Sequence, residues 1–172
     1  GRLVDYEEEI YGEKGFITNT NVSISGGGEK TSFFGAFTNN HEEGIVKRTG
    51  ATKRSVRLNV AHKLGDHIKL ALTGNYISSS ADRGFFNNDN TNTTIGVSNL
   101  FTRPWDYLLP DAEGNYPDHP ANSSNQIHTR DVMTNNETVS RLIAGASVDV
   151  NLWRTDNQSL KLVLRGGVDT YT

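Results

Sequence analysis

The side chains best suited to chemistry fall in a few short stretches of this 172-residue chain. Gly28-Glu29-Lys30-Thr31 has the ingredients of a phosphate-binding loop, in which backbone N–H groups and a lysine cradle an anion. Glu29 interrupts the Gly-Lys pair, however, and an aromatic strand pattern follows where a helix is needed, so a hairpin turn accounts for it. The histidines His41, His62, His67, His119 and His128 share no helix face and stand near no thiolate, so the spacing of a zinc site is missing. Residues 87–92, Asn-Asn-Asp-Asn-Thr-Asn, offer oxygens of the kind Ca²⁺ takes. They lack the glycine and closing glutamate of an EF-hand loop, and a polar loop is the simpler reading.

With no cysteine there is no disulfide framework, thiolate nucleophile or thiolate metal site. No nucleophile elbow and no carboxylate pair in an apolar setting occurs, so the residues point to no enzyme, no cofactor and no metal. One stretch remains: Phe101, Arg103, Trp105, Asp106 and Tyr107, with Tyr116 further on. Flat aromatic faces beside hydrogen-bonding side chains suit the docking of sugar rings or peptide backbones. These six are the candidate substrate-binding residues. The other reading, that the rings pack the segment onto itself or onto a partner protein, stays open beside it.

The elements that must position these residues are strands. Hydrophobic residues make up only 34%, glycine reaches 17, and Asn and Thr are frequent, a mix suited to strands and loops. A net charge of -3 with scattered Lys and Arg argues against nucleic acid. Val22 and Ile24 alternate with Asn21, Ser23 and Ser25, the glycines from Gly26 turn the chain, and the extended pattern resumes with Phe33, Phe34 and Phe37. Val56, Leu58 and Val60 alternate with Ser55, Arg57 and Asn59. After a turn at Gly65, Ile68, Leu70, Leu72 and Tyr76 alternate with Lys69, Thr73 and Asn75. The last pair sets Leu142, Val148 and Val150 against Arg141 and Asp149, turns near Asp156, and ends with Leu160, Leu162 and Leu164 against Lys161 and Arg165. The expected organisation is a polar lead-in over 1–14, strands over 15–77, one long loop over 78–137 that holds all four prolines, and strands over 138–172.

No run of about 18 apolar residues exists, which excludes a transmembrane helix, and the acidic start at Asp5, Glu7, Glu8 and Glu9 does not read as a signal peptide. A transmembrane strand needs only about 9–11 residues with every second one apolar. The connections run short, medium (39–50), short, very long, short, which is the asymmetry of an outer-membrane barrel with tight periplasmic turns and long extracellular loops. Trp153 falls at the turn end of its strand and Phe37, Tyr76 and Tyr171 near the opposite ends, as two interfacial girdles require. Lys47, Arg48, Lys53 and Arg54 would then lie near the outer rim as solubilising charge, with pairing to lipopolysaccharide phosphate as the alternative.

Residues 21–31, Asn-Val-Ser-Ile-Ser-Gly-Gly-Gly-Glu-Lys-Thr, resemble the Ser-Gly-Gly-x-Glu-Lys-Thr hairpin of SusC/RagA-type TonB-dependent transporters. Residues 43–47, Glu-Gly-Ile-Val-Lys, and 53–60, Lys-Arg-Ser-Val-Arg-Leu-Asn-Val, are similar to the turn and strand that follow it there. The resemblance covers roughly residues 6–76. It implies an importer of glycans or peptides in the outer membrane, with a plug inside a barrel of roughly 22 strands. It also implies as partners the plug and remaining barrel, a surface lipoprotein of the SusD type, the TonB complex and outer-membrane lipid. The expected fold is therefore all-β: about six antiparallel up-and-down strands of a partial transmembrane β-barrel with one long extracellular loop. The competing expectation is a soluble β-sandwich module binding carbohydrate or protein, its apolar rows buried between two sheets. Where those rows point separates the two.

Overall fold

The structure, a computed structural model, describes residues 3–86 and 93–172. The candidate Ca²⁺ stretch 87–92 lies outside the described residues. The elements run α1 (Tyr6–Tyr11), β1 (Ile17–Gly27), β2 (Thr31–Glu43), β3 (Gly50–Leu64), β4 (Ile68–Asp82), α2 (Ile95–Leu100), α3 (Gln126–Val132), β5 (Asn136–Arg154) and β6 (Ser159–Tyr171). All six strands join one antiparallel sheet in the order β1-β2-β3-β4-β5-β6, an up-and-down arrangement that does not close. No helix among the described residues is long and apolar enough to cross a membrane.

The turns fall where glycine and small polar residues permit them. Gly65 has φ +64°, a left-handed conformation that glycine adopts without a Cβ penalty. Gly28 N–H donates to Thr31 O at 2.8 Å, and Thr155 N–H to Gln158 O at 2.8 Å, closing the two other short reversals. Between β5 and β6 the register sets Val148 opposite Leu164 and Val150 opposite Leu162, with a shift between Asn151 and Trp153. On the other face Lys161 Nζ reaches Asp149 Oδ2 at 2.7 Å, and Arg141 Nε donates to Asp169 Oδ1 at 2.8 Å. Both are diagonal cross-strand pairs that reinforce that register.

The chain divides into two compact units. The sheet unit comprises Thr18–Asn40, Thr52–Ser79 and Thr138–Thr172. A Cβ built on Gly35 would stand 3.5 Å from both Ile24 Cγ2 and Leu58 Cδ2, so these three share the apolar face across β1, β2 and β3. The opposite row holds a groove of about 350 Å³ lined mostly by polar side chains, Asn21, Ser23, Thr38, Ser55, Arg57 and Asn75, with Phe34 and Ala36 of β2 among them. The apolar row is uncovered, with Ile24 66% exposed, Leu58 60% and Leu164 58%. Among the described residues no second sheet lies against it, and the apolar rows do not meet in a dry centre. A single layer must bury such a face against something, because each large aliphatic side chain withdrawn from water contributes about 1.5–3 kcal/mol.

Among the described residues the buried core belongs to the other unit, Gly1–Ile17, His41–Ala51 and Ser80–Glu137. It consists of Tyr6, Ile10, Val46, Ile95, Leu108 and Ile127, with Val4, Tyr11, Leu109 and Tyr116 against it. In α1 Asp5 caps the N-terminus by accepting Glu8 N–H at 3.0 Å, Glu7, Glu8 and Glu9 suit the positive end of the helix, and Tyr6 and Ile10, four apart, face the core together. The polar lead-in thus carries a docked helix.

The stretch 78–137, expected as one loop, also departs from expectation. β4 runs into it as far as Asp82, β5 starts at Asn136, and α2 and α3 lie between. All four prolines sit in the connection between α2 and α3, so they rule out helix and strand only there. The medium connection 39–50 shortens too, since β2 extends to Glu43 and β3 begins at Gly50, and Val46 within it is a core residue.

Candidate functional site

The candidate residues lie in the helical unit, and the structure sorts them into two groups. Phe101 caps the C-terminal end of α2. The turn that follows is closed by reciprocal bonds: Asp106 N–H donates to Arg103 O at 3.0 Å, and Arg103 N–H donates to Asp106 Oδ2 at 3.0 Å. This holds the Arg103 guanidinium over the Trp105 ring, 5.7 Å from its centroid. Trp105 is 64% exposed, and Phe101, Arg103 and Tyr107 are also exposed. The turn is anchored from below, because the Tyr6 hydroxyl donates to Asp106 O and accepts Leu108 N–H at 2.9 Å. Burial pushes the Tyr6 phenol above its ordinary pKa, which keeps the donor protonated.

Tyr116 stands apart from that group. Its ring stacks on His128 with centroids 4.4 Å apart and planes 14° apart, and its hydroxyl donates to Asp131 Oδ2 at 2.9 Å. That hydrogen bond, with burial and the charge of Asp131 adding to it, raises the Tyr116 pKa. The pair lines an open cleft of about 790 Å³ together with His119, Asn122, Asn125 and Thr129, among others. Of the six candidates only Tyr116 reaches this cleft; Phe101, Arg103, Trp105, Asp106 and Tyr107 lie outside it, at the end of α2 and on the turn that follows, with Asp106 half-buried and the other four exposed.

Three residues of the cleft had no distinguishing sequence signal. Asn125 caps α3, its Oδ1 accepting Ile127 N–H at 3.0 Å and His128 N–H at 3.2 Å, while its Nδ2 donates to Leu108 O and Pro117 O. His128 is placed by that cap on the first turn of α3, under Tyr116. His119 is 6% exposed and bonded through both ring nitrogens.

Beneath the cleft, buried Arg130 donates to Asp131 from Nε and Nη2, at 2.7 and 3.1 Å, and from Nη1 to Glu9 O and Oε1, at 2.7 and 3.0 Å. Lys47 Nζ also reaches Glu9 Oε1, at 3.4 Å. Burial alone would raise the Asp131 pKa, but the bonds from Arg130 and Tyr116 outweigh it and hold the carboxyl below the ordinary value. Arg130 therefore fastens α1 to α3.

The two surfaces offer stacking faces and hydrogen-bonding side chains, which is equipment for binding. Among the described residues no group of three or more His, Cys, Asp or Glu is placed to hold a metal ion.

No protein-family model matches the chain. Among curated proteins it is similar to TonB-dependent receptor P26 of Formosa agariphila (strain DSM 15362 / KCTC 12365 / LMG 23005 / KMM 3901 / M-2Alg 35-1), with 29% identity over 91 residues. The match covers 53% of this chain and 9% of that protein, so the matched stretch spans less than a tenth of the relative's length. The likeness supports kinship with the TonB-dependent receptors, and the open antiparallel up-and-down sheet is consistent with a part of a β-barrel.

Proposed function

We propose that this chain supplies barrel wall and an extracellular substrate- or partner-facing unit to a TonB-dependent outer-membrane importer of the SusC/RagA type, one that carries glycans or peptides. The observation that carries the reading is the uncovered apolar row of a single six-stranded sheet whose polar row faces the other way. In an outer-membrane barrel the first row meets acyl chains and the second lines a wet lumen. The strands have 11 to 19 residues, enough to span when tilted. Further strands of the same transporter would satisfy the open edges at β1 and β6, which lipid cannot do.

In this reading the reversals at 28–30, 65–67 and 155–158 are periplasmic and the longer connections extracellular. Phe101, Arg103, Trp105, Asp106, Tyr107 and Tyr116 contact substrate or a SusD-type surface lipoprotein. A plug and the TonB complex complete the transporter, and the chain itself performs no covalent chemistry. The test is accessibility in the full-length transporter embedded in lipid, using one introduced thiol at a time. Leu58→Cys and Leu162→Cys, carrying a fluorophore, should be quenched by lipid-borne quenchers, whereas Arg57→Cys and Lys161→Cys should react with a water-soluble maleimide. Equal aqueous reactivity at all four positions would refute the proposal.

A further inference from the structure

We propose that His119 is a pH-sensitive latch of the helical unit: neutral, it ties α2, the turn after it and α3 together, and protonation releases them. Donor and acceptor arithmetic fixes its state. Ala121 N–H can only donate, and it lies 3.1 Å from His119 Nδ1, so Nδ1 is the unprotonated acceptor and Nε2 carries the hydrogen. Nε2–H then donates to Thr102 Oγ1 at 3.0 Å. The Thr102 hydroxyl spends its one hydrogen on Ser98 O at 3.0 Å and accepts a second bond from Gln126 Nε2 at 2.8 Å. One imidazole thus joins Ser98 of α2, Thr102, Ala121 and Gln126 of α3 through a closed set of bonds.

A second proton has nowhere to go within this set. It would place Nδ1–H against Ala121 N–H, donor to donor, and put a cation at a site that is 6% exposed. The groups on the flanking elements do little to offset it. α2 carries no titratable side chain. The turn after it brings Arg103, Asp106 and Tyr107, of which Asp106 favours the cation through its charge. The stretch before His119 brings Asp111, Glu113, Tyr116 and Asp118, and α3 brings His128 together with the mutually paired Arg130 and Asp131. Burial is the larger effect, and it lowers the His119 pKa. A histidine with a lowered folded pKa contributes stability that is complete above its ordinary value of about 6.5 and is lost as pH falls through that value toward the folded one. Because His119 also lines the cleft, acid loosens the wall of a binding surface and not only its foundation.

The test is hydrogen–deuterium exchange of the full-length protein in lipid at about pH 7.5 and about pH 5, corrected for the intrinsic pH dependence of exchange. Segments covering 95–102 and 119–132 should exchange roughly threefold faster or more at the lower pH, while the strands stay unchanged. His119→Asn keeps an oxygen able to accept Ala121 N–H but cannot titrate, so its exchange should be the same at both pH values. His128→Asn should keep the acid response. Identical corrected exchange in the unsubstituted protein at the two pH values overturns the proposal by itself, whatever the variants do. So does an acid response retained in His119→Asn or abolished in His128→Asn.

Discussion

Leu58→Arg is the substitution that most directly probes what covers the sheet. Leu58 is the ninth of the 15 residues of β3 counted from Gly50, its side chain stands over Gly35 on the apolar face, and it is 60% exposed. Were that face in water, an exposed Leu→Arg change would shift stability by no more than about 0.5 kcal/mol. Mid-strand in a bilayer it places a guanidinium near the midplane, which costs about 2–4 kcal/mol, whereas the same change at Leu64, at the turn end of β3, costs about 0–1 kcal/mol. Asn59→Arg, one residue away on the polar row that already holds Arg57, should be nearly neutral. The expected pattern is therefore a depth gradient along one row and none along the other. Equilibrium denaturant unfolding of the full-length protein folded in phospholipid vesicles reads it directly, as shifts in midpoint at constant slope. Leu58→Arg matching either Asn59→Arg or Leu64→Arg to within about 0.5 kcal/mol would refute the reasoning.

Arg130→Ala leaves a partly buried Asp131 without its bidentate partner and releases α1. A loss of about 3 kcal/mol is expected for the helical unit, at the low end for a broken buried pair because the Glu9 and Asp131 side chains keep 29% and 26% of their surface. Local exchange protection of α1 and α3 measures it. Asp131, with its folded pKa lowered, contributes stability that is present above the ordinary carboxylate value of about 3.9 and is lost as pH falls through the folded one, so Arg130→Ala should also flatten acid destabilisation there. Trp105→Ala removes an exposed ring that carries the Arg103 guanidinium over its face. It should weaken binding in oligosaccharide or oligopeptide screens about tenfold with unchanged exchange in the helical unit, while Tyr116→Ala should also raise exchange in α3. Undiminished binding by Trp105→Ala would remove that ring from the site.

The strands were legible because a strand writes its two faces into consecutive residues. Leu58 beside Arg57, or Val148 beside Asp149, states an orientation within two positions, and the glycine at the Gly65 turn marks a reversal. The helical unit writes nothing so local. Its core draws Val46, Ile95, Leu108 and Ile127 one at a time from segments far apart, and its helices, of six or seven residues, are too short to display a 3.6-residue period. Residue type alone exposed the aromatic platform at Phe101 to Tyr107. The cleft is not legible in the sequence because Tyr116 and His128 are twelve positions apart and are brought together by the cap at Asn125 and the bond from Tyr116 to Asp131. Arg130 reads as an ordinary surface charge until Glu9, 121 positions upstream, is seen to complete it.

That separation bears on the order of events during synthesis. α1 has six residues, too few to hold a helix unaided, and beside the nearer bond from Lys47 to Glu9 its tethers include Leu108 and Arg130, 102 and 121 positions from their partners. Such distant closures form slowly, after the intervening chain exists. A nascent polypeptide stalled short of Asp106 would therefore carry an α1 without either distant tether, and protease sensitivity at residues 6–11 would distinguish such products from longer ones.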